Sequence, residues 1–320
     1  MLRRPIGRIA CTLLLACVAP TALAQEADAP LLRFDWPIGL KGKVTQTMNR
    51  TQGPVSRDSE TTYDFELKEA ADGLIIDTSN ASTKTDLSQV PPQMQNVLKR
   101  LMGVMPDYKV SRGGEFVGAA DLEKLQAEIR GVMDSLLSEM PESMRPQMQQ
   151  VMSQVTSEEA LLAQLSETWN VSVAMWIDAE PELGEVYQLE FEEPHPMAPQ
   201  IMLPQTLEFS LQGREPCKRG GKERRCVRLS VTSTPDPAKL GEATMAILQQ
   251  FNGGQPLPDE ALASMKEMSM REDIDLVTEP DTLIPHKLTK IKTISMDLSA
   301  VGQPSMERVD RTEVTYTYAP

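Results

Sequence analysis

Leu207-Glu-Phe-Ser-Leu211 and Val227-Arg-Leu-Ser-Val231 flank Cys217-Lys-Arg-Gly-Gly-Lys-Glu-Arg-Arg-Cys226, and this stretch decides the fold. On each flank an apolar side chain recurs at every second position, the period of a strand with one buried face. Two such runs separated by a Gly-Gly pair and charged residues predict an antiparallel β-hairpin. Its long loop is expected to be closed by a Cys217–Cys226 disulfide. On the chain-entropy picture, so short a cross-link stabilises by roughly 2–3 kcal/mol. Zinc is the other use of a cysteine pair, but no histidine lies nearby in sequence to complete a site. A β-rich architecture follows from the hairpin, and the rest of the chain is read against it.

Outward from the hairpin, strand patterns recur on both sides. Val314, Tyr316 and Tyr318 alternate with Thr315 and Thr317, and extended runs are predicted at 185–192, 274–277, 287–298 and 308–318. Residues 171–177 also read as a strand. Towards the N-terminus the same reading applies to 31–47, 61–67, 73–77 and 108–117, the last with a turn or bulge at Gly113-Gly114. Helical spacing appears between these groups. Met94, Leu98, Leu101 and Met105 follow Ser88, with Gly103 as a stop signal. Asp121 caps a stripe of Leu122, Leu125, Ile129, Val132, Leu136 and Met140. Thr156-Ser-Glu-Glu159 reads as a capping box for a helix ending near Thr168. Further helices are expected at 238–251 and 259–270. Strands at both ends with helices between them predict an α+β fold: one long antiparallel sheet, half-barrel-like, packed over inserted helices. The expected organisation is one domain over 25–320, with a helical insertion at about 121–168.

The order of these elements carries a resemblance. Lys109-Val-Ser-Arg-Gly-Gly-Glu-Phe116 leading into a helix, and Leu283-Ile-Pro-His-Lys287 opening a late strand, resemble a family of secreted bacterial proteins of unknown function over most of the chain. At the level of architecture, a long sheet wrapped over helices resembles periplasmic lipoprotein carriers and related lipid-binding half-barrels. That resemblance implies non-covalent handling of acyl chains or lipoproteins, and it carries over no site residue.

The first 24 residues read as an export signal. Arg3, Arg4 and Arg8 precede an apolar core from Ile9 to Val18, and Ala22-Leu-Ala24 before Gln25 fits a cleavage site. This predicts a periplasmic or secreted protein. Leu14-Leu-Ala-Cys17 offers a second reading, in which Cys17 is acylated and tethers a lipoprotein. No later stretch is apolar enough for a transmembrane segment. Cleavage after Ala24 removes three of the 32 basic residues and none of the 46 acidic ones, so the formal charge of -14 becomes 29 - 46 = -17. Such an acidic surface repels phosphate backbones, which argues against nucleic-acid partners. Oligomeric state is not set by anything in the sequence.

Catalytic signatures are missing. Only His195 and His286 are available to a His-dependent triad, and there is no nucleophile elbow, zinc-protease motif or phosphate-binding glycine loop. The chain is therefore read as non-enzymatic and without a cofactor, an uncharacterised hydrolase being a third-ranked alternative. Asp178-Ala-Glu-Pro-Glu182 lacks the glycine and terminal glutamate of a calcium loop. The basic Lys218, Arg219, Lys222, Arg224 and Arg225 read as a solvated loop.

Methionine is the sharper clue, at 19 residues against 4% aromatics. Thioethers suit Cu(I), so Met265, Met268 and Met270 are weak metal candidates and a methionine-based copper-handling protein is the alternative function. Flexible thioethers also suit surfaces that accept varied apolar partners. The expected ligand groove therefore runs between the sheet and the inserted helices, lined by Leu125, Ile129, Leu136, Met140, Met144, Met148 and Met152. Its occupant is a hydrophobic or envelope-derived ligand, a lipid or lipoprotein-like partner.

Overall fold

The computed structural model describes residues 29–88, 92–138, 156–195, 198–251, 268–296 and 305–320, together with 142, 145 and 149. The first 24 residues, read above as an export signal, lie outside the described residues. The fold class differs from expectation: among the described residues strands make up 53% and helices 24%, so the protein is mainly β and not α+β. The strands are longer than their apolar alternation indicates. They are β1 (Lys41–Gln52), β2 (Val55–Ala70), β3 (Gly73–Thr85), β4 (Tyr108–Val110), β5 (Phe116–Ala119) and β6 (Val186–His195). The chain continues with β7 (Ala198–Arg219), β8 (Lys222–Pro235), β9 (Met268–Thr278), β10 (Pro285–Met296) and β11 (Met306–Tyr318). Four helices accompany them among the described residues: α1 (Pro92–Met102), α2 (Leu122–Ser138), α3 (Glu158–Ser172) and α4 (Pro237–Phe251).

All eleven strands form one open sheet in the order β5-β4-β3-β2-β1-β11-β10-β9-β8-β7-β6, each named pair antiparallel. The chain lays down one half outward from β1 to the β5 edge, and then resumes at the opposite edge with β6. It works back until β11 pairs with β1. Both sheet edges are therefore consecutive in sequence, and α2 and α3 lie on the segment that joins them.

One face carries the core. Val227, Leu229 and Val231 on β8 are 2% exposed or less, while the intervening Arg228 pairs outward with Asp275. Cross-strand rows continue this face over the sheet centre: Phe65–Gly42–Tyr318 and Tyr63–Val44–Tyr316 lie side by side across β2, β1 and β11. Gly42 has to be small, since a Cβ there would sit 2.7 Å from the Phe65 ring and 2.7 Å from the Thr317 carbonyl. The space lets Phe65 and Tyr318 meet edge to face at 6.1 Å.

Three local readings are corrected. Residues 171–177 are no strand, because α3 runs on to Ser172 and a single 3-10 turn, Ala174–Trp176, follows. The α3 cap is Ser157 and not Thr156, its hydroxyl accepting from the Ala160 N–H at 3.2 Å. Where the 259–270 helix was expected, β9 already begins at Met268. Asp121 caps α2 as expected, its carboxylate accepting from the Lys124 N–H at 3.0 Å.

Candidate functional site

An apolar pocket opens between the core face of the sheet and the C-terminal end of α3. The two cross-strand rows supply its floor, through Phe65, Tyr63, Val44 and Tyr316. Ile76, Thr78 and Tyr108 extend the floor across β3 and β4, and Pro285 bounds it on β10. Thr168, Trp169, Ser172 and Val173 form the roof, and Trp36 closes one side. The space amounts to about 530 Å³, part of it open to solvent.

The roof is held by backbone geometry. Residues before β1 thread beside the end of α3: Leu32 exchanges hydrogen bonds with Asp178 and Ala179, and the Arg33 N–H donates to Pro280 at 3.0 Å. This brings Phe34 and Trp36 against Trp169, with ring centres 6.0 and 5.5 Å from it. The indole N–H of Trp169 donates to the Gly114 carbonyl at 2.7 Å. Gly114 has φ +90°, and a Cβ there would fall 2.4 Å from the Phe34 ring, so glycine is required on both counts.

No ionised side chain lines the pocket. The polar groups on its wall fall into two sets. Thr78 is satisfied by the Asp107 carboxylate, and the Ser172 hydroxyl donates to the Thr168 carbonyl at 2.7 Å. The hydroxyls of Tyr63, Tyr108 and Tyr316 have no hydrogen-bond partner among the described residues, and the Trp36 indole N–H is buried without one. Burial pushes the Tyr108 phenol up to about 12. It raises Tyr63 too, reinforced by Tyr316 and Tyr108, and Tyr316, reinforced by Tyr108. All three therefore remain neutral, protonated donors at any physiological pH.

Leu125, Ile129 and Leu136, expected to line a groove, are not among the residues of this pocket. Leu125 and Ile129 are buried with Leu161 in a small cluster between α2 and α3, and Leu136 packs with Val97 of α1 and Val132. Met140, Met144, Met148, Met152 and Met265 lie outside the described residues. Met268 and Met270 stand two apart on β9, opposite Met296 and Ile294. The Met268 sulfur accepts from the Thr244 hydroxyl of α4 at 3.5 Å. Sequence reading singled out none of the pocket residues as a site, and it ended the helix before Trp169, Ser172 and Val173. Their signal was the four-residue spacing of Leu161, Leu165, Trp169 and Val173, which continues the helix.

The Cys217–Cys226 disulfide is formed, with Cα atoms 5.8 Å apart. It does not close a long loop. β7 and β8 stay paired to Arg219 and Lys222, leaving Gly220 and Gly221 as the turn, at φ +56° and +76°. Beneath the bridge lies a buried polar cluster invisible to local spacing. His286 approaches both sulfurs, and its Nε2 meets the Glu279 carboxylate at 3.0 Å; Arg219 lies 3.4 Å from the same oxygen. Cys217, Cys226 and His286 bring their ligand atoms within 4.8 Å of one another, but bonded sulfurs are not thiolates and give a metal no purchase.

No family model and no curated protein matches the sequence. Among solved structures, one of lipovitellin, concerned with lipid–protein interactions, is similar over 89% of this chain at 7% identity and a TM-score of 0.40. The alignment spans 26% of the lipovitellin chain. A likeness so slight carries neither fold nor function.

Proposed function

We propose that this protein is an exported, non-enzymatic binding protein for an apolar ligand of the lipid class, seated between the sheet and α3. The pocket carries the reading: an opening at the centre of the core face, walled by aromatic and aliphatic side chains and with no ionised group. Export is supported by the signal-like first 24 residues and by the disulfide, which an oxidising compartment sustains. Burial of an acyl-type chain here gives micromolar affinity, on the order of 8 kcal/mol.

The test is purification without detergent, followed by native mass spectrometry and solvent extraction. Co-purifying lipid, or saturable micromolar binding of a neutral pyrene-labelled alkyl probe, is the expected result. Thr168 is exposed at the pocket mouth, so Thr168→Trp narrows the opening without entering the core. It should weaken probe binding at unchanged thermal stability. A protein that yields no lipid and binds no probe refutes the proposal.

A further inference from the structure

We infer, resting on the reading above, that the pocket selects lipids whose polar end is an uncharged oxygen acceptor, an ester or amide carbonyl, over chain-matched free carboxylates. Two observations point the same way. The first is the inventory of donors: the hydroxyls of Tyr63, Tyr108 and Tyr316 and the indole N–H of Trp36 are without partners among the described residues. Only the Trp36 N–H is both buried and unpaired; the three phenol hydroxyls keep contact with solvent, so a ligand that displaces that water must replace its hydrogen bonds, which a ligand oxygen does. The second is the missing cation. No Lys, Arg or His lines the space, so a buried carboxylate would lose its hydration without meeting a counter-charge.

Long-range charge adds to this. The chain carries a formal charge of -14, while Glu167, next to Thr168 at the mouth, is paired with Lys290 and adds no free charge of its own. An anion entering there meets repulsion outside and no neutralisation inside. A carbonyl oxygen meets neither penalty and accepts from the same donors. Phenols also donate to anions, but three neutral donors do not replace hydration plus a cation.

The experiment is displacement of the neutral alkyl probe from the disulfide-intact protein by a fatty-acid methyl ester and by the same fatty acid, at pH 8 and below the critical micelle concentration. The ester should displace at a concentration on the order of tenfold lower. Lowering the pH towards the carboxyl's own pKa should narrow the gap, because the protonated acid is also a neutral acceptor. Tyr63→Phe, Tyr108→Phe and Tyr316→Phe, singly and together, keep the walls and remove the donors. They should erode the ester preference while alkyl-probe binding persists. A fatty acid that competes as well as the ester at pH 8 overturns the inference and leaves the apolar pocket standing, as does a preference that survives all three changes. If the probe itself does not bind, the underlying reading fails.

Discussion

Gly42 illustrates what a single position contributes to this sheet. Its missing side chain lets the rings of Phe65 and Tyr318 close over β1, and any Cβ would strike the Phe65 ring and the Thr317 carbonyl together. Gly42→Ala should therefore destabilise by about 1–3 kcal/mol, the usual cost of overpacking. Urea denaturation should show a lower midpoint at unchanged slope; an unaltered midpoint would mean the row relaxes freely. Asp310 is a second instructive residue. Burial alone would raise its pKa, but Arg308 and Arg50, the latter 2.8 Å away on the paired strand β1, outweigh that and hold it low. Its contribution is thus present above the ordinary aspartate pKa and lost as pH falls through the depressed folded value. The stability gap between the native protein and Asp310→Asn should shrink between pH 7 and pH 2, and a constant gap would exclude this ion pair as a source of acid sensitivity. The alternation of Val314, Tyr316 and Tyr318 was legible as one buried face. That Tyr316 would share a row with Val44 and Tyr63 was not, because only the pairing of the first strand with the last brings them together.

Among elements, the β7–β8 hairpin was half legible. Alternation identified both strands and the cysteines identified the bridge. The Gly-Gly pair is also the signal of a two-residue turn needing positive φ at both positions. The charged residues between the cysteines suggested a solvated loop, whereas cross-strand pairing continues straight through them. Its buried partner His286, on β10, is remote in sequence, and no spacing rule reaches it. Removing the bridge by Cys217→Ser with Cys226→Ser should cost about 2–3 kcal/mol on the chain-entropy picture. The tip also carries Arg219 to buried Glu279, so the loss should be largest around Glu279 and His286 in hydrogen exchange. A double variant as stable as the parent would show that the tip packs without its cross-link. The misreading of 171–177 has a different cause. Val171, Val173 and Ile177 are β-formers by propensity, yet the register set by Leu161, Leu165 and Trp169 keeps the chain helical until Ser172.

At the scale of the molecule, the mainly β character was hidden in the polar ends of the strands. The first half of β2 and the last half of β3 are mostly exposed or half-exposed, so they show no apolar period and read as loop. Cross-strand pairs such as Lys84 with Glu60 and Thr61 with Thr83 hold them instead. The visible helices consequently counted for too much. Their packing is also unequal. Among the described residues, the sheet, the segment before β1 and the end of α3 share one large core, whereas α1 and α2 rest on two small clusters around Val97, Val132 and Leu136, and around Leu125, Ile129 and Leu161. Elements with few buried apolar partners open below the global unfolding free energy. The amides of α1 and α2 should therefore exchange through a sub-global opening, while those of β1, β10 and β11 exchange only on complete unfolding. Val132→Ala should make that opening easier by about 1–3 kcal/mol and leave exchange in the central strands unchanged. Because the pocket is roofed by the end of α3 and not by α2, probe binding should survive the same substitution. Equal protection of α2 and β10 in the parent, or loss of probe binding in Val132→Ala, would mean that the helical pair and the pocket form one cooperative unit.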